Sequence, residues 1–190
     1  ENQKDLPTWR GHHEQNMALT GIAYSRSKRR RQIFIATSSV GPGSTNMVTA
    51  AAVAMSNRIP ILFLPGDTFA NRLPDPVLQQ VEHFNNPTMT VNDAFKPVTR
   101  YFDRITRPEQ IISSLQQAVQ IMLDPADCGP ACISLSQDIQ GETFDYPEDF
   151  FKERIHTIRR PRPDDYQIKE AAKLIKKSKK PIIISGGGIF

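Results

Sequence analysis

One carboxylate stands where it could do chemistry: Glu14, which lies in the stretch GHHEQNMALTGIAY (residues 11–24). An apolar helical pattern follows it, so three roles are open: a metal ligand, an ordinary acid of a first helical turn, and a catalytic acid. Adjacent helical residues point about 100° apart, so His12, His13 and Glu14 do not converge on one ion. Met17 stands where the H-E-x-x-H zinc motif needs its second histidine. We therefore expect the histidines to neighbour a site without binding a metal.

A second candidate is the turn TSSVGPGSTN (residues 37–46), which joins an apolar run to a small-residue helix. Gly41 and Gly43 allow the backbone to approach a ligand closely, and the helix start offers free N–H groups. The turn has neither the G-x-G-x-x-G pattern nor a Walker lysine, so a dinucleotide-binding fold has little support. A connecting turn without a ligand stays open. In a parallel sheet, however, this turn and Glu14 would share the carboxyl edge, where ligands of open α/β sheets bind.

The elements that must position these residues alternate between strand and helix. Apolar runs of strand length, bounded by glycine or proline, are typical of strands buried on both faces of a parallel sheet. Helical spacing separates them, with Ser44 or Thr45 and Thr106 as predicted N-caps. The pattern predicts an α/β fold with a doubly wound, mainly parallel sheet. Strands are predicted at 6–11, 32–39, 59–67, 96–102 and 130–139, helices at 15–27, 44–57 and 106–123, and irregular structure at 68–91.

The chain is predicted to contain one domain and the start of another. A charged, proline-interrupted stretch at 158–167 reads as a linker. We expect residues 1–157 to form the first domain, lacking its first elements. Residues 168–190 then begin a second α/β domain with a helix, a strand and a glycine turn. We expect the chain to be part of a longer protein.

Bulk composition excludes several classes. Hydrophobic residues make up 38% and charged residues 23%, which is typical of a globular protein. The net charge of +4 comes largely from basic runs at 26–31 and 173–180, which fit solvated helix ends. A nucleic-acid-binding module is the remote alternative that these runs leave open. We expect no nucleic-acid or membrane partner, a buried reduced thiol at Cys132, and a cytoplasmic location.

These motifs together resemble a known family. HEQ opening a helix, then TSSVGPGSTN, IPILFLPGD, FKPVTRYF and DCGPACISLSQDI, is similar to the pyrimidine-binding domain of thiamine-diphosphate enzymes such as acetohydroxyacid synthase. The resemblance covers residues 6–142. It implies that residues 1–157 are the pyrimidine-binding domain and that 168–190 begin the family's central domain.

The resemblance also implies roles for individual residues. Glu14 would contact N1′ of the cofactor's aminopyrimidine and share a proton with it. The turn residues Gly41, Gly43 and Asn46 would border the pyrimidine. A helix start favours the ionised carboxylate, whereas burial favours the neutral acid; in a dry pocket we expect burial to prevail. Gln80 and His83 are candidates to face the substrate, with a polar pair on a surface loop as the alternative.

The family further implies partners that this chain does not supply. Thiamine diphosphate and Mg²⁺ would be held through a G-D-G…N segment of a C-terminal domain, which is not found in these 190 residues. The cofactor site would be shared between subunits of a homodimer or homotetramer, so this chain alone should be inactive. Residues 67–110 resemble the branch of the family that opens a cyclic 1,2-diketone in inositol catabolism. An acetolactate synthase-like carboligase or a 2-keto acid decarboxylase is the alternative.

Overall fold

A computed structural model describes residues 6–74 and 76–189 of the protein. In this part of the chain, four parallel strands form one sheet in the order β1-β2-β4-β3. The predicted α/β class with a parallel sheet is confirmed. The strands are β1 (Phe34–Ser38), β2 (Ile61–Asp67), β3 (Tyr101–Ile105) and β4 (Ala131–Ser136). The helices are α1 (Glu14–Ser27), α2 (Pro42–Thr45), α3 (Val48–Asn57), α4 (Ile111–Met122) and α5 (Asp165–Lys177), and 3₁₀ turns span Val91–Val98, Pro108–Gln110, Ile139–Gly141, Glu148–Phe151 and Gly187–Ile189.

The central strand β2 is buried on both faces of the sheet. Ile61 and Phe63 lie in the cluster formed with α1 and α3, while Leu62 lies in the cluster formed with α4. Side chains alternate between the faces of a strand, so a doubly covered strand must be apolar at every position. This is why the run ILFLP predicts the strand correctly.

Small residues let the helices of one face approach closely. Ala50, Ala51 and Ala54 of α3 are fully buried. Gly21 of α1 lies against the ring of Phe34, where a Cβ would stand 2.3 Å from a ring carbon. The close fit packs the middle of α1 against the first residue of β1.

The predicted helix at 44–57 is wrong at its start. The structure has a single turn, α2, followed by α3 with Met47 as N-cap. Neither predicted cap acts as one: the Ser44 hydroxyl donates to Asn92 Oδ1, and Thr45 Oγ1 donates to Pro42 O. Ser44 hydrogen-bonds to a buried polar partner instead of capping the helix. The interruption between α2 and α3 leaves Asn46 at the end of α2.

The strand predicted at 96–102 is wrong over most of its length. A 3₁₀ turn occupies Val91–Val98, and β3 begins only at Tyr101. Thr90 and Asp93 form a capping box that starts the 3₁₀ turn.

The helix predicted to begin at Thr106 also begins later. Its N-cap is Gln110, preceded by a 3₁₀ turn capped by Arg107. The side-chain oxygen of Gln110 accepts hydrogen bonds from the backbone N–H groups of Thr106 and Arg107, at 2.8 and 3.1 Å. These bonds close the turn before α4 and replace the predicted threonine cap.

The ends of the described chain differ from the prediction as well. Residues 6–11 form no strand, and Trp9 is 71% exposed. Residues 1–5, whose sequence is typical of the tail of a helix, lie outside the described residues. Helix α5 begins inside the predicted linker, because the Asp164 carboxylate accepts from the N–H groups of Tyr166 and Gln167. The strand predicted after α5 does not form among residues 181–186, which pair with no strand of the described part.

Both thiols are reduced and buried, which confirms the prediction for Cys132. Cys132 lies inside β4, and Cys128 donates from Sγ to the carbonyl oxygen of Met122 at 3.1 Å. Across residues 6–74 and 76–189, no helix combines the length and apolarity that a membrane span requires.

Candidate active site

Glu14 is the first residue of α1 and is only partly buried. The N-cap His13 has an extended backbone, with φ −153° and ψ 133°, and its side chain makes no capping hydrogen bond. The carboxylate therefore lies at the mouth of the helix beside its positive dipole end. His12 and His13 are exposed. Within the described part of the chain, no three His, Cys, Asp or Glu side chains converge as metal ligands.

The structure brings Glu14 and Asn46 together. Asn46 Nδ2 donates to Glu14 Oε2 at 2.9 Å, joining residues 32 positions apart. This hydrogen bond is the main cause that holds the pKa of Glu14 below its ordinary value, and bonding to the backbone N–H and the charge of His13 act in the same direction. Burial raises the pKa, but it is outweighed. In the single chain the ionised form is favoured, in contrast to the predicted neutral acid of a dry pocket.

The two glycines of the turn have separate uses. Gly41 has φ +71°, and a Cβ there would stand 1.6 Å from the carbonyl oxygen of Gln79. The turn and the segment after β2 thus meet backbone to backbone. At Gly43 a Cβ would stand 3.3 Å from Glu14 Oε1 and 2.7 Å from Ser39 Oγ. The missing side chain leaves one face of the carboxylate open.

A buried polar network lies beneath this turn and was not predicted. Asp67 ends β2 with no exposed surface, and its Oδ2 accepts from Ser134 Oγ at 2.5 Å. Asn92 Nδ2 donates to Ser134 Oγ at 2.6 Å and to Gly66 O at 2.9 Å, and Asn92 Oδ1 accepts from the Ser44 hydroxyl. The network joins the ends of β2 and β4 to α2.

Arg104 compensates the buried charge of Asp67. Its Nε donates to Asp67 Oδ2 at 2.7 Å, and Nη2 donates to Thr90 Oγ1 at 2.9 Å and to Asp93 Oδ1 at 3.0 Å. Burial acts to lower the pKa of Arg104, but the hydrogen bonds and charges of Asp67 and Asp93 together outweigh it and raise the pKa. A buried carboxylate costs several kcal/mol unless it is paired. The sequence signal that could have found this pair is an aspartate directly after an apolar strand.

The segment after β2 carries the two residues predicted to face a substrate. Gln80 is 2% exposed, accepts from the backbone N–H of Phe69 at 3.3 Å, and donates to Gln137 at 3.5 Å. His83 is exposed. The Asp138 carboxylate anchors the beginning of the segment by accepting from the N–H groups of Ala70 and Asn71, at 2.9 and 3.1 Å.

This arrangement can hold a proton at one defined place. The Glu14 carboxylate has one oxygen oriented by Asn46 and the other beside the bare backbone of Gly43. A flat ring that carries both a hydrogen-bond donor and an acceptor fits against such an edge, since the donor meets the carboxylate and the ring meets the glycine. These residues therefore fit the aminopyrimidine end of thiamine diphosphate.

Comparisons with known proteins point to the same cofactor. Residues 1–87 match the family model described as "Thiamine pyrophosphate enzyme, N-terminal TPP binding domain". The chain is 52% identical over 189 residues to 3D-(3,5/4)-trihydroxycyclohexane-1,2-dione hydrolase of Clostridium tetani, and 55% identical over 183 residues to the enzyme of that name from Halalkalibacterium halodurans. These alignments cover 100% and 96% of this chain but only 29% of each relative.

A solved structure has the same fold. The thiamine diphosphate-dependent 4-hydroxybenzoylformate decarboxylase of Rhodococcus jostii superposes with a TM-score of 0.69 at 18% identity, covering 90% of this chain and 31% of that one. At this identity the likeness establishes the fold alone. The sequence relatives and the family model confirm the predicted resemblance to thiamine-diphosphate enzymes.

Proposed function

Since the chain is related over its whole length to enzymes of the thiamine-diphosphate family, we propose that it is the pyrimidine-binding part of a hydrolase. The full-length protein then binds thiamine diphosphate and opens the ring of trihydroxycyclohexane-1,2-dione. The name carried by relatives at 52–55% identity supports this substrate. The chain spans 29% of the length of those relatives, so the activity belongs to the longer protein.

The observation that carries the proposal is the position of Glu14. The residue opens α1 at the carboxyl edge of a parallel sheet, and Asn46 fixes one of its carboxylate oxygens at 2.9 Å. Ligands of open α/β sheets bind at this edge. The carboxyl group would share a proton with N1′ of the aminopyrimidine. Gly41, Gly43 and Asn46 would border the ring.

Thiamine diphosphate supplies a carbon nucleophile when it is bound, and the protein supplies binding, orientation and proton control. Glu14 controls the protonation of the ring nitrogen, and Asn46 keeps its carboxylate in place. His83 is proposed to face the substrate from the segment after β2. Gln80 is buried within that segment and would stabilise its conformation on the substrate side.

The proposed overall reaction adds one water across a ring carbon–carbon bond. The bond between the two adjacent carbonyl carbons breaks. One of these carbons takes the water oxygen and becomes a carboxylate. The other takes a proton and becomes an aldehyde, so the open-chain product is 5-deoxyglucuronate. No oxidant is needed, because one carbonyl carbon is oxidised and the other is reduced.

We propose that the site is completed by other parts of the protein. Mg²⁺ and the diphosphate would be held by a domain outside residues 1–190, contributed by a second subunit of a cytoplasmic homodimer or homotetramer. The division into a pyrimidine-binding domain (1–157), a linker (158–167) and the start of a central domain (168–190) belongs to this proposal. Exposed apolar side chains on the segment after β2 support a covering partner: Leu73, Leu78, Val81 and Phe84, which are 85%, 86%, 54% and 74% exposed.

The test is Glu14→Gln in the full-length protein. We expect hydrolysis of the diketone and exchange of the cofactor's C2 proton to fall together by about 10²–10⁴-fold, the size of a lost acid–base contribution. Glu109→Gln, the same chemical change at an exposed acid elsewhere, serves as the control. Unchanged exchange and hydrolysis in Glu14→Gln would overturn the proposal.

The substrate is tested separately by offering the wild-type protein pyruvate and the cyclic diketone. We expect turnover of the diketone alone. Turnover of pyruvate alone would replace the proposed substrate with that of a carboligase or decarboxylase while leaving the role of Glu14 intact.

A further inference from the structure

One buried side chain of the turn that carries Asn46 is hydrogen-bonded to the protein core. Helix α2 is a single turn, and Asn46 follows it directly. Ser44, two residues before Asn46, has no exposed surface, and its hydroxyl donates to Asn92 Oδ1. Ser44 on one side and the buried Met47 on the other fix the backbone at Asn46, and Ser44 is the one held by a hydrogen bond.

Asn92 is well suited to hold Ser44, because its own side-chain amide is held in one orientation. It is fully buried, and its Nδ2 donates to both Gly66 O and Ser134 Oγ. These two acceptors fix the amide nitrogen on the sheet side and leave the amide oxygen toward Ser44. A flipped amide would place an oxygen against a carbonyl, which is costly in a buried site.

The far end of this connection is anchored in the sheet. Ser134 Oγ donates to Asp67 Oδ2 at 2.5 Å, and Arg104 pairs with the same oxygen at 2.7 Å. The connection thus runs from an ion pair at the ends of β2 and β3, through Ser134, Asn92 and Ser44, to the turn beside Glu14.

We propose that Asn92, acting through Ser44, is a positioning residue that sets the contact between Asn46 and Glu14. The inference rests on the proposed role of Glu14 as the group that shares a proton with the cofactor. Asn92 touches neither the cofactor nor the substrate in this proposal. It acts by keeping α2 at the distance from α1 at which the Asn46 amide reaches the carboxylate.

A purely structural role for Asn92 makes a different prediction. In that case its loss would lower stability and leave the remaining folded molecules with normal chemistry. A positioning role predicts a change in the protonation behaviour of Glu14 even in fully folded protein, because the Asn46 hydrogen bond is the main cause of its lowered pKa. His13 is the neighbouring charged group that acts on the same carboxylate, and it stays in place in all variants.

The experiment compares Ser44→Ala, Asn92→Leu, the double variant and Asn46→Ala in the full-length protein. Ser114→Ala is the matched control, since Ser114 is an equally buried serine on α4 that accepts from Tyr101 at 3.1 Å on the opposite face of the sheet. Three quantities are measured: the pH profile of C2 proton exchange, the dissociation constant of thiamine diphosphate, and the Asn46–Glu14 distance in crystals of the cofactor-free protein.

We expect Ser44→Ala and Asn92→Leu to reproduce the effect of Asn46→Ala. Exchange should fall about tenfold, as for the loss of one hydrogen bond, and the acid limb of its pH profile should move to higher pH. The Asn46–Glu14 distance should lengthen beyond hydrogen-bonding range in the cofactor-free crystals. The double variant should show the same exchange rate and pH profile as Asn92→Leu alone, because the hydroxyl of Ser44 has its effect only through its hydrogen bond to Asn92.

Two outcomes would overturn the inference. One is an unchanged pH profile and Asn46–Glu14 distance in folded Ser44→Ala, with only the thermal midpoint lowered to the extent seen in Ser114→Ala. The other is additive effects of the two substitutions. Failure of the proposed function has a separate signature, which is normal C2 proton exchange in Glu14→Gln. That result does not depend on the variants at positions 44 and 92.

Discussion

Arg104 donates from Nε to Asp67 Oδ2 at 2.7 Å, and the carboxylate that it meets has no solvent-exposed surface. The pair joins the ends of β2 and β3, strands that are separated in the sheet by β4. The same carboxylate oxygen accepts from Ser134 of β4. One ion pair with its hydrogen bonds therefore ties together three strands at the carboxyl edge, directly below the candidate site.

Replacing the arginine should destabilise this edge strongly. Arg104→Met leaves the Asp67 charge buried without its partner, so we expect about 3–5 kcal/mol of lost stability. The measurement is hydrogen exchange of the β2 and β4 amides in the full-length protein. Arg107→Met is the control, because Arg107 forms an exposed pair with Glu109, and surface pairs contribute only about 0–1 kcal/mol. Equal effects of the two substitutions would contradict the prediction.

Asp93 should make stability sensitive to acid. Burial raises the pKa of this carboxyl, but hydrogen bonds from Lys96 and the Thr90 N–H, together with the charge of Arg104, outweigh burial and lower it. A carboxyl whose folded pKa lies below the unfolded one stabilises the protein above the unfolded pKa, and this contribution disappears as pH falls through the folded pKa. The difference in thermal midpoint between wild type and Asp93→Asn should therefore be largest near neutral pH. It should shrink below about pH 4; a difference that stays constant with pH would exclude this role.

Hydrophobic patterning predicts the sheet and the location of the site, but not the contacts within the site. The apolar runs at β2 and β4 leave little choice of structure, because strands covered on both faces need such runs. The run at β1 also forms a strand, but it lies at the edge of the sheet with Ile35 43% exposed, so the prediction that it is buried on both faces is wrong. Given parallel strands, Glu14 and the turn 37–46 must share one edge, and the hydrogen bond from Asn46 to Glu14 is consistent with that.

The polar network was missed because its members come from four separate segments. Ser44, Asp67, Asn92 and Ser134 have no common spacing, and only the folded structure brings them together. The same network explains why the predicted cap at Ser44 is wrong. A serine before a helix has a strong local preference for capping, but its hydroxyl forms a buried hydrogen bond to Asn92 here, and the helix begins further along the chain.

The two thiols should be unreactive in the folded protein. Burial raises the pKa of Cys128 to about 11 and that of Cys132 well above its ordinary value. At pH 8 only about one in a thousand Cys128 side chains would be thiolate, which is the reactive form. Alkylation of the full-length protein at that pH, followed by peptide mass spectrometry, should leave both residues unmodified. The same treatment in denaturant should modify both, and rapid labelling of either residue in the native protein would contradict the structure.

Gly43→Ala should weaken cofactor binding with little cost to stability. The position has ordinary helical geometry, so an added methyl group meets side chains and strains no backbone. It would stand 2.7 Å from Ser39 Oγ, which can rotate away, and 3.3 Å from Glu14 Oε1. The open face of the carboxylate would then be covered, and we expect the dissociation constant of thiamine diphosphate to rise about tenfold, corresponding to about 1.4 kcal/mol.

The control for this prediction is Gly141→Ala, since a Cβ at Gly141 meets no atom within 4 Å. Titration of the cofactor into the cofactor-free full-length protein should give wild-type affinity for Gly141→Ala and reduced affinity for Gly43→Ala. The thermal midpoints of the two cofactor-free variants should lie close together, because neither substitution disturbs the core. If Gly43→Ala binds the cofactor as tightly as wild type, the ring does not lie against this face of Glu14. A fall in the thermal midpoint without a loss of affinity would assign Gly43 to folding alone.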